Sequence, residues 1–207
     1  INGSGMHVHQ SLSDIKGNNL FYDKNKKHQL SDMALYYING IIEHAPSFVA
    51  ITNPIVNSYK RLVPGHEAPV NIAWSMKNRS PLIRIPDKRE NGTRIEVRVP
   101  DPATNPYLAL LVMFASGVDG INKKIFPPEA ISENVFELTE KEKKKLKVGA
   151  LPANIFEAVE NLKKDKYLRE ILGEHIFKHF YEAKLKEWDD FNTEVHNWEI
   201  KRYLSII

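Results

Sequence analysis

The chain reads as an α+β protein, on three observations: its strand candidates all fall in the first hundred residues, the remainder is helical and charged, and half of the twelve prolines fall between positions 51 and 100. At 207 residues it has room for one large domain or two small ones. Hydrophobic residues at 42% are enough for a folded core and too many for a disordered chain. A formal charge of +3 gives no field that argues for nucleic acid or an anionic membrane. The absence of cysteine excludes disulfides and thiolate metal sites, and fits a reducing, cytoplasmic setting. No apolar run approaches the ~20 residues of a membrane span, and the start lacks a basic stretch followed by an apolar one.

In chain order, Met6–Leu12 reads as a short strand, followed by a polar turn at Gly17-Asn18-Asn19. Ser31 is placed to cap a helix from Asp32 to about Glu43, which should end before Pro46. Further strands are expected at Ile72–Met76, Leu82–Ile85 and Arg94–Val99. Asn105-Pro106 supplies an N-cap and a proline at the first helical position. The helix it opens, Tyr107–Gly117, is apolar almost all round, so it should be buried or lie at a subunit contact. Thr139 and Glu142 have capping-box spacing and open a helix over the basic run Lys141–Lys147. Asn154 and Asp165 cap two more helices, the second stopped at Gly173. An amphipathic stretch from Glu174 to about Trp188 and a tail with Trp198, Tyr203 and Leu204 complete the chain.

Side chains alternate along a strand, so Arg94, Glu96 and Arg98 share one face while Ile95, Val97 and Val99 share the other. The polar face suits either cross-strand ion pairs in solvent or the grip on an anionic ligand. His7, His9 and Ser11 alternate in the same way along the first strand, with Gln10 breaking the apolar pattern opposite. Two imidazoles projecting together suit a metal ion, or simply two hydrogen-bonded histidines. The preceding Asn2-Gly3-Ser4-Gly5 permits close backbone approach to a ligand and equally suits a turn. Arg61, His66 and Glu67 lie on a loop marked by Pro64-Gly65 and Pro69. With Arg79, Arg84, Arg94 and Arg98, Arg61 makes five arginines in strand or loop contexts. Their charge calls for anions, whether polyphosphate and carboxylate ligands or surface acids.

Taken together, Asn2–Ser11, Asn57–Pro69, Arg79–Arg84 and Arg94–Arg98 followed by Asp101–Tyr107 resemble the glutamine synthetase family of the type I, bacterial and archaeal kind, in order and spacing. The resemblance implies a curved, mostly antiparallel sheet flanked by helices, the glutamine synthetase/guanido kinase-like catalytic fold, incomplete in this chain. Residues 1–207 would form the C-terminal part of the catalytic domain, with sheet and active-site loops over 1–100 and mainly helices over 101–207. It implies ATP-dependent ligation of ammonia to glutamate through a γ-glutamyl phosphate. Asn2, Gly3, Arg61, Glu67 and Arg98 would bind the substrate, with Glu67 on a closing flap. His9, Gln10, Ser11, Arg79, Arg84 and Arg94 would line the ATP site, His7 and Glu96 would ligate Mg2+ or Mn2+, and Glu67 and Arg79 would be catalytic.

The resemblance further implies a homo-oligomer, a dodecamer of two stacked hexameric rings, with the Trp198 and Tyr203 tail reaching the opposite ring. It implies no nucleic-acid or membrane partner. The family's remaining metal glutamates lie upstream of Asn2, so the piece is expected to be inactive alone. Phe136 occupies the position of a tyrosine that some bacterial relatives adenylylate, so that control is expected to be absent. A γ-glutamyl ligase for another amine, or a non-catalytic homologue, would keep parts of the same pattern.

Overall fold

The computed structural model describes residues 4–63, 68–133 and 135–206. Five strands form one sheet: β1 (Val8–Gln10), β2 (Asn71–Ser75), β3 (Pro81–Arg84), β4 (Ile95–Val97) and β5 (Gly149–Ala150), in the order β1-β4-β3-β2-β5. Three of the four described strand pairs are antiparallel. β2 and β3 run parallel, with a shift in register between Asn71 and Trp74. The short return from β2 to β3 is tied by side chains: the Ser75 hydroxyl accepts from the amides of Lys77 and Asn78, and Asn78 Oδ1 accepts from that of Ser80.

The described helices are α1 (Asp32–Thr52), α2 (Ser58–Arg61), α3 (Pro106–Lys123), α4 (Glu140–Lys145), α5 (Ile155–Lys164), α6 (Lys166–Thr193) and α7 (Asn197–Tyr203), and α1 and α3 lie against one face of the sheet, where Gln10 of β1 meets Tyr37 and Met113. Each expected cap is in place. Ser31, Asn105, Asn154 and Asp165 accept from first-turn amides, and Thr139 and Glu142 bond reciprocally. Gly173 breaks α6 at φ 74°, as its place in the sequence suggests, and a second helical segment continues to Thr193.

Pro46 does not end α1, contrary to expectation. The helix runs through it to Thr52, and Phe48, Val49, Ala50 and Ile51 on the far side are buried in the core. An interior proline costs ~3 kcal/mol through a lost amide and a clash. Burying several large apolar side chains, at about 1.5–3 kcal/mol each, outweighs it.

α1 and α3 meet backbone to backbone. A Cβ on Gly40 would lie 2.0 Å from the Ser116 carbonyl oxygen, and one on Gly120 would lie 2.1 Å from that of Tyr36. α3 is buried on one side, through Ala109, Val112 and Met113, whereas Tyr107, Leu110 and Phe114 on its other side are exposed. The apolar faces of the strands, with Ile72, Ile83, Ile95 and Val97, pack into the same core. No described helix is long and apolar enough to cross a membrane.

Candidate active site

The polar face of β4 carries the site. In the register, Glu96 is flanked by His9 of β1 on one side and Arg84 of β3 on the other, so all three side chains emerge on the face away from the helices. Glu96 is only 2% exposed. A carboxylate at that depth needs partners. His7 Nδ1 lies 2.8 Å from its Oε1, Arg84 Nε donates to its Oε2 at 2.5 Å, and Arg98 Nε stands 3.6 Å from Oε1. Burial alone would raise the Glu96 pKa, but the Arg84 hydrogen bond and the charges of Arg84, His7 and Arg98 hold it below the usual carboxylate range.

His7 is set the other way. Burial, then the charge of Arg98, lowers its pKa below 6.5 against the pull of Glu96, which leaves the imidazole uncharged near neutral pH. Its side chain remains 39% exposed, so a ring edge is open to solvent. An uncharged imidazole beside an ionised carboxylate is a donor set that fits a divalent metal ion. Two cis ligands on an octahedral ion at ~2.1 Å sit about 3 Å apart, close to the separation found here. Among the described residues, no third acid or imidazole converges on this pair.

The arginines surround this centre. Arg98 is buried, donates through Nη1 to the Arg79 carbonyl oxygen, and leaves Nε without a hydrogen-bond partner. Arg79 and Arg98 share a cleft of about 700 Å3 with Lys77, Asn78, Ser80, Ser132 and Phe136. Two guanidinium groups and an ammonium around a concave surface suit a multiply charged anion. Arg94 donates from Nε to His9 Nδ1 at 3.1 Å and from Nη1 to the Gly92 carbonyl at 2.9 Å, pairing one side chain from β1 with one that leads into β4. Ser11 is exposed just beyond β1. Arg61, at the end of α2, donates to the carbonyls of Val99 and Arg98 at 2.9 and 3.2 Å and lies against Gly5.

Gln10 is not part of this group. Its Oε1 accepts from the Tyr37 hydroxyl at 2.7 Å and its amide faces Met113 Sδ, so the side chain is spent on the helix side of β1. Strand alternation requires this: His7 and His9 face one way and Gln10 the other. Only its backbone is free to meet a ligand on the histidine face. Asn2, Gly3 and Glu67 lie outside the described residues. No local pattern marks Ser132, which the chain brings to the arginine cleft from more than fifty positions downstream of Arg79.

The chain matches the family model described as glutamine synthetase, catalytic domain, over residues 1–203. It belongs to the glutamine synthetase family. It is 56% identical over 205 residues to the glutamine synthetase of Thermus thermophilus, and 52% identical over 206 to that of Methanococcus voltae. These alignments cover 99% and 100% of the chain but 46% of each relative, so the chain spans about half the length of the curated glutamine synthetases that it matches. A solved chain titled as a GmaS/ADP complex superimposes with a TM-score of 0.86 at 34% identity, over 98% of this chain and 46% of that one. A chain titled apo GmaS without ligand gives 0.84 at the same identity. Glutamine synthetases as a family use ATP and a divalent metal, and the sheet with its arginine-rich face is the part of that fold present here.

A second polar cluster lies on the helical side. His44 is 5% exposed and bridges two acids, with Nδ1 2.6 Å from Asp165 and Nε2 2.9 Å from Asp119. Lys123 Nζ lies 2.6 Å from Glu43 and 2.7 Å from Asp119. Glu43, His44 and Asp119 are close enough to hold a cation, but the Lys123 ammonium already supplies the positive charge. Their role is to join α1, α3 and the α5–α6 junction.

Proposed function

We propose that this chain supplies the sheet-side wall of a glutamate–ammonia ligase site, for the reaction ATP + glutamate + ammonia → glutamine + ADP + phosphate. The observation that carries this reading is the buried Glu96 carboxylate, met by His7 on one oxygen and Arg84 on the other, beside the cleft of Arg79 and Arg98. A surface ion-pair network would not bury its acid to 2% or leave a guanidinium Nε unbonded next to a cleft.

In the first step a γ-carboxylate oxygen of glutamate forms a bond to the γ-phosphorus of ATP, and ADP leaves. Phosphoryl transfer asks for alignment and charge neutralisation more than for covalent help. In this reading Arg84 and Arg94, with His9, Ser11 and the backbone of Gln10, orient the nucleotide. Arg79 offsets charge on the moving phosphoryl group, and Arg98 holds the substrate's side-chain carboxylate while it is phosphorylated. Arg61, Asn2 and Gly3 would bind the remainder of glutamate. His7 and Glu96 would hold a divalent ion, Mg2+ or Mn2+, which when bound draws charge from the phosphate oxygens.

In the second step the ammonia nitrogen bonds to the acyl carbon, phosphate leaves, and a proton is lost. Glu67 is the carboxylate we assign to that proton and to the flap that excludes water from the acyl phosphate. The absence of cysteine is consistent with work in the cytoplasm. The reading includes a homo-oligomer of two stacked hexameric rings and no activity from these 207 residues alone, because His7 and Glu96 are too few ligands for tight metal binding.

The test is product analysis with the full-length protein, ATP, glutamate and a panel of amines. Glutamine, ADP and phosphate should form in equal amounts, with ammonia the preferred amine, and Arg98→Ala should remove the activity. ATP-dependent ligation of another amine in preference to ammonia, or no ligation by the intact protein, would refute the assignment.

A further inference from the structure

The proposed ligase site leaves one metal-binding pattern unused: the two histidines on the second segment of α6. His175 and His179 are separated by one helical turn, so their side chains project from the same stripe of the helix. Their rings meet edge to face, with centroids 4.6 Å apart and planes at 69°. Both residues are exposed. His7, His9 and His44 each spend ring nitrogens on a neighbour. His175 and His179 instead make no hydrogen bond or ion pair among the described residues, so their nitrogens are uncommitted. Glu182, three positions beyond His179, places an exposed carboxylate on the same stripe.

We propose that His175 and His179 form a surface site for a borderline divalent transition ion, Zn2+ or Ni2+, separate from the harder ion assigned to His7 and Glu96. Two imidazoles on one tetrahedral ion, with metal–nitrogen bonds of ~2.0–2.1 Å, put their ring centroids about 5 Å apart. The observed spacing reaches that arrangement through small side-chain rotations. Paired imidazoles favour Zn2+, Ni2+ or Cu2+ over Mg2+, whose preference is for oxygen. Water and the Glu182 carboxylate would complete the shell. A helix presents the pair already in register, so little ordering opposes binding.

The site begins just after the break at Gly173, and the same helical segment carries Glu187, whose carboxylate accepts from the Val56 amide at 3.1 Å near α2. An ion across the two histidines would therefore brace the segment that supports the Arg61 region, and would register as a rise in thermal stability.

The experiment is calorimetric titration of Zn2+ into the full-length protein with Mg2+ saturating, comparing wild type, His175→Ala, His179→Ala and Lys178→Ala. The wild type and Lys178→Ala should bind one more Zn2+ per chain than either histidine variant, and all should keep their Mg2+-dependent activity. Protection by Zn2+ of His175 and His179 from diethyl pyrocarbonate, read by mass spectrometry in the wild type, needs no variant. Equal Zn2+ stoichiometry and affinity in wild type and both histidine variants, or no such protection, would overturn the proposal.

Discussion

The Arg61 guanidinium fills the space in which a side chain at Gly5 would begin: a Cβ there would lie 2.5 Å from Nη2 and 2.7 Å from Cζ. The glycine is a seat for the arginine, and the arginine in turn clamps the carbonyls of Arg98 and Val99 where the chain leaves β4.

Gly5→Ala should therefore displace Arg61. Misplacement of a positioning group by about 1 Å can cost as much as ~100-fold in rate. We expect a loss of about 10- to 100-fold in kcat/KM of the full-length protein, mostly as a higher KM for glutamate. Steady-state kinetics with glutamate varied and ATP saturating measures it; an unchanged KM would disconnect Arg61 from substrate binding.

The glycine crossing of α1 and α3 makes a prediction opposite in sign to helix propensity. Alanine in a helix interior is favoured over glycine by about 1 kcal/mol. At Gly120 the new methyl would meet the Tyr36 carbonyl oxygen and Gly40 backbone, which cannot rotate away. Gly120→Ala should destabilise the protein by roughly 1–3 kcal/mol, measured by urea unfolding. A gain in stability would mean that the helices are further apart than described.

His44 carries a pH dependence of definite sign. Burial lowers its pKa, but the bonds to Asp165 and Asp119 outweigh this and raise it above 6.5. Stability from a raised pKa is fully present below the unfolded value and is lost as pH rises through the folded one. The two acids are held below their usual 3.8, so their share is present above that value and is lost as pH falls through the lowered one. His44→Asn should cost about 3–5 kcal/mol near neutral pH, as for breaking a buried ion pair. The Tm gap between wild type and variant should narrow as pH rises from about 6 to about 9. A gap that stays constant over that range would mean that His44 is bound as the neutral ring.

Much of this was legible in the chain, because much of it is local. Alternation along Arg94–Val99 separates Glu96 and Arg98 from Ile95 and Val97, and the fold keeps that separation. Caps at Ser31, Asn105, Thr139, Asn154 and Asp165 depend on neighbours within four positions, and all hold. Pro46 misled because a local rule met a tertiary force: the buried turns beyond it matter more than one lost amide. The His44 bridge could not be seen, since Asp119 and Asp165 lie 75 and 121 positions away and no short pattern links them. The close crossing at Gly40 and Gly120 is likewise tertiary, because each glycine is needed only where the other helix's backbone meets it.

The account rests on His7 and Glu96 acting on one divalent ion, and Mn2+ binding to the full-length protein tests this most directly. Titration followed by electron paramagnetic resonance should find binding at one site weakened at least ~10-fold in both His7→Ala and Glu96→Gln, with the fold intact by circular dichroism. If both variants bind Mn2+ with the affinity and stoichiometry of wild type, the two side chains are a structural hydrogen-bonded pair and the metal lies elsewhere.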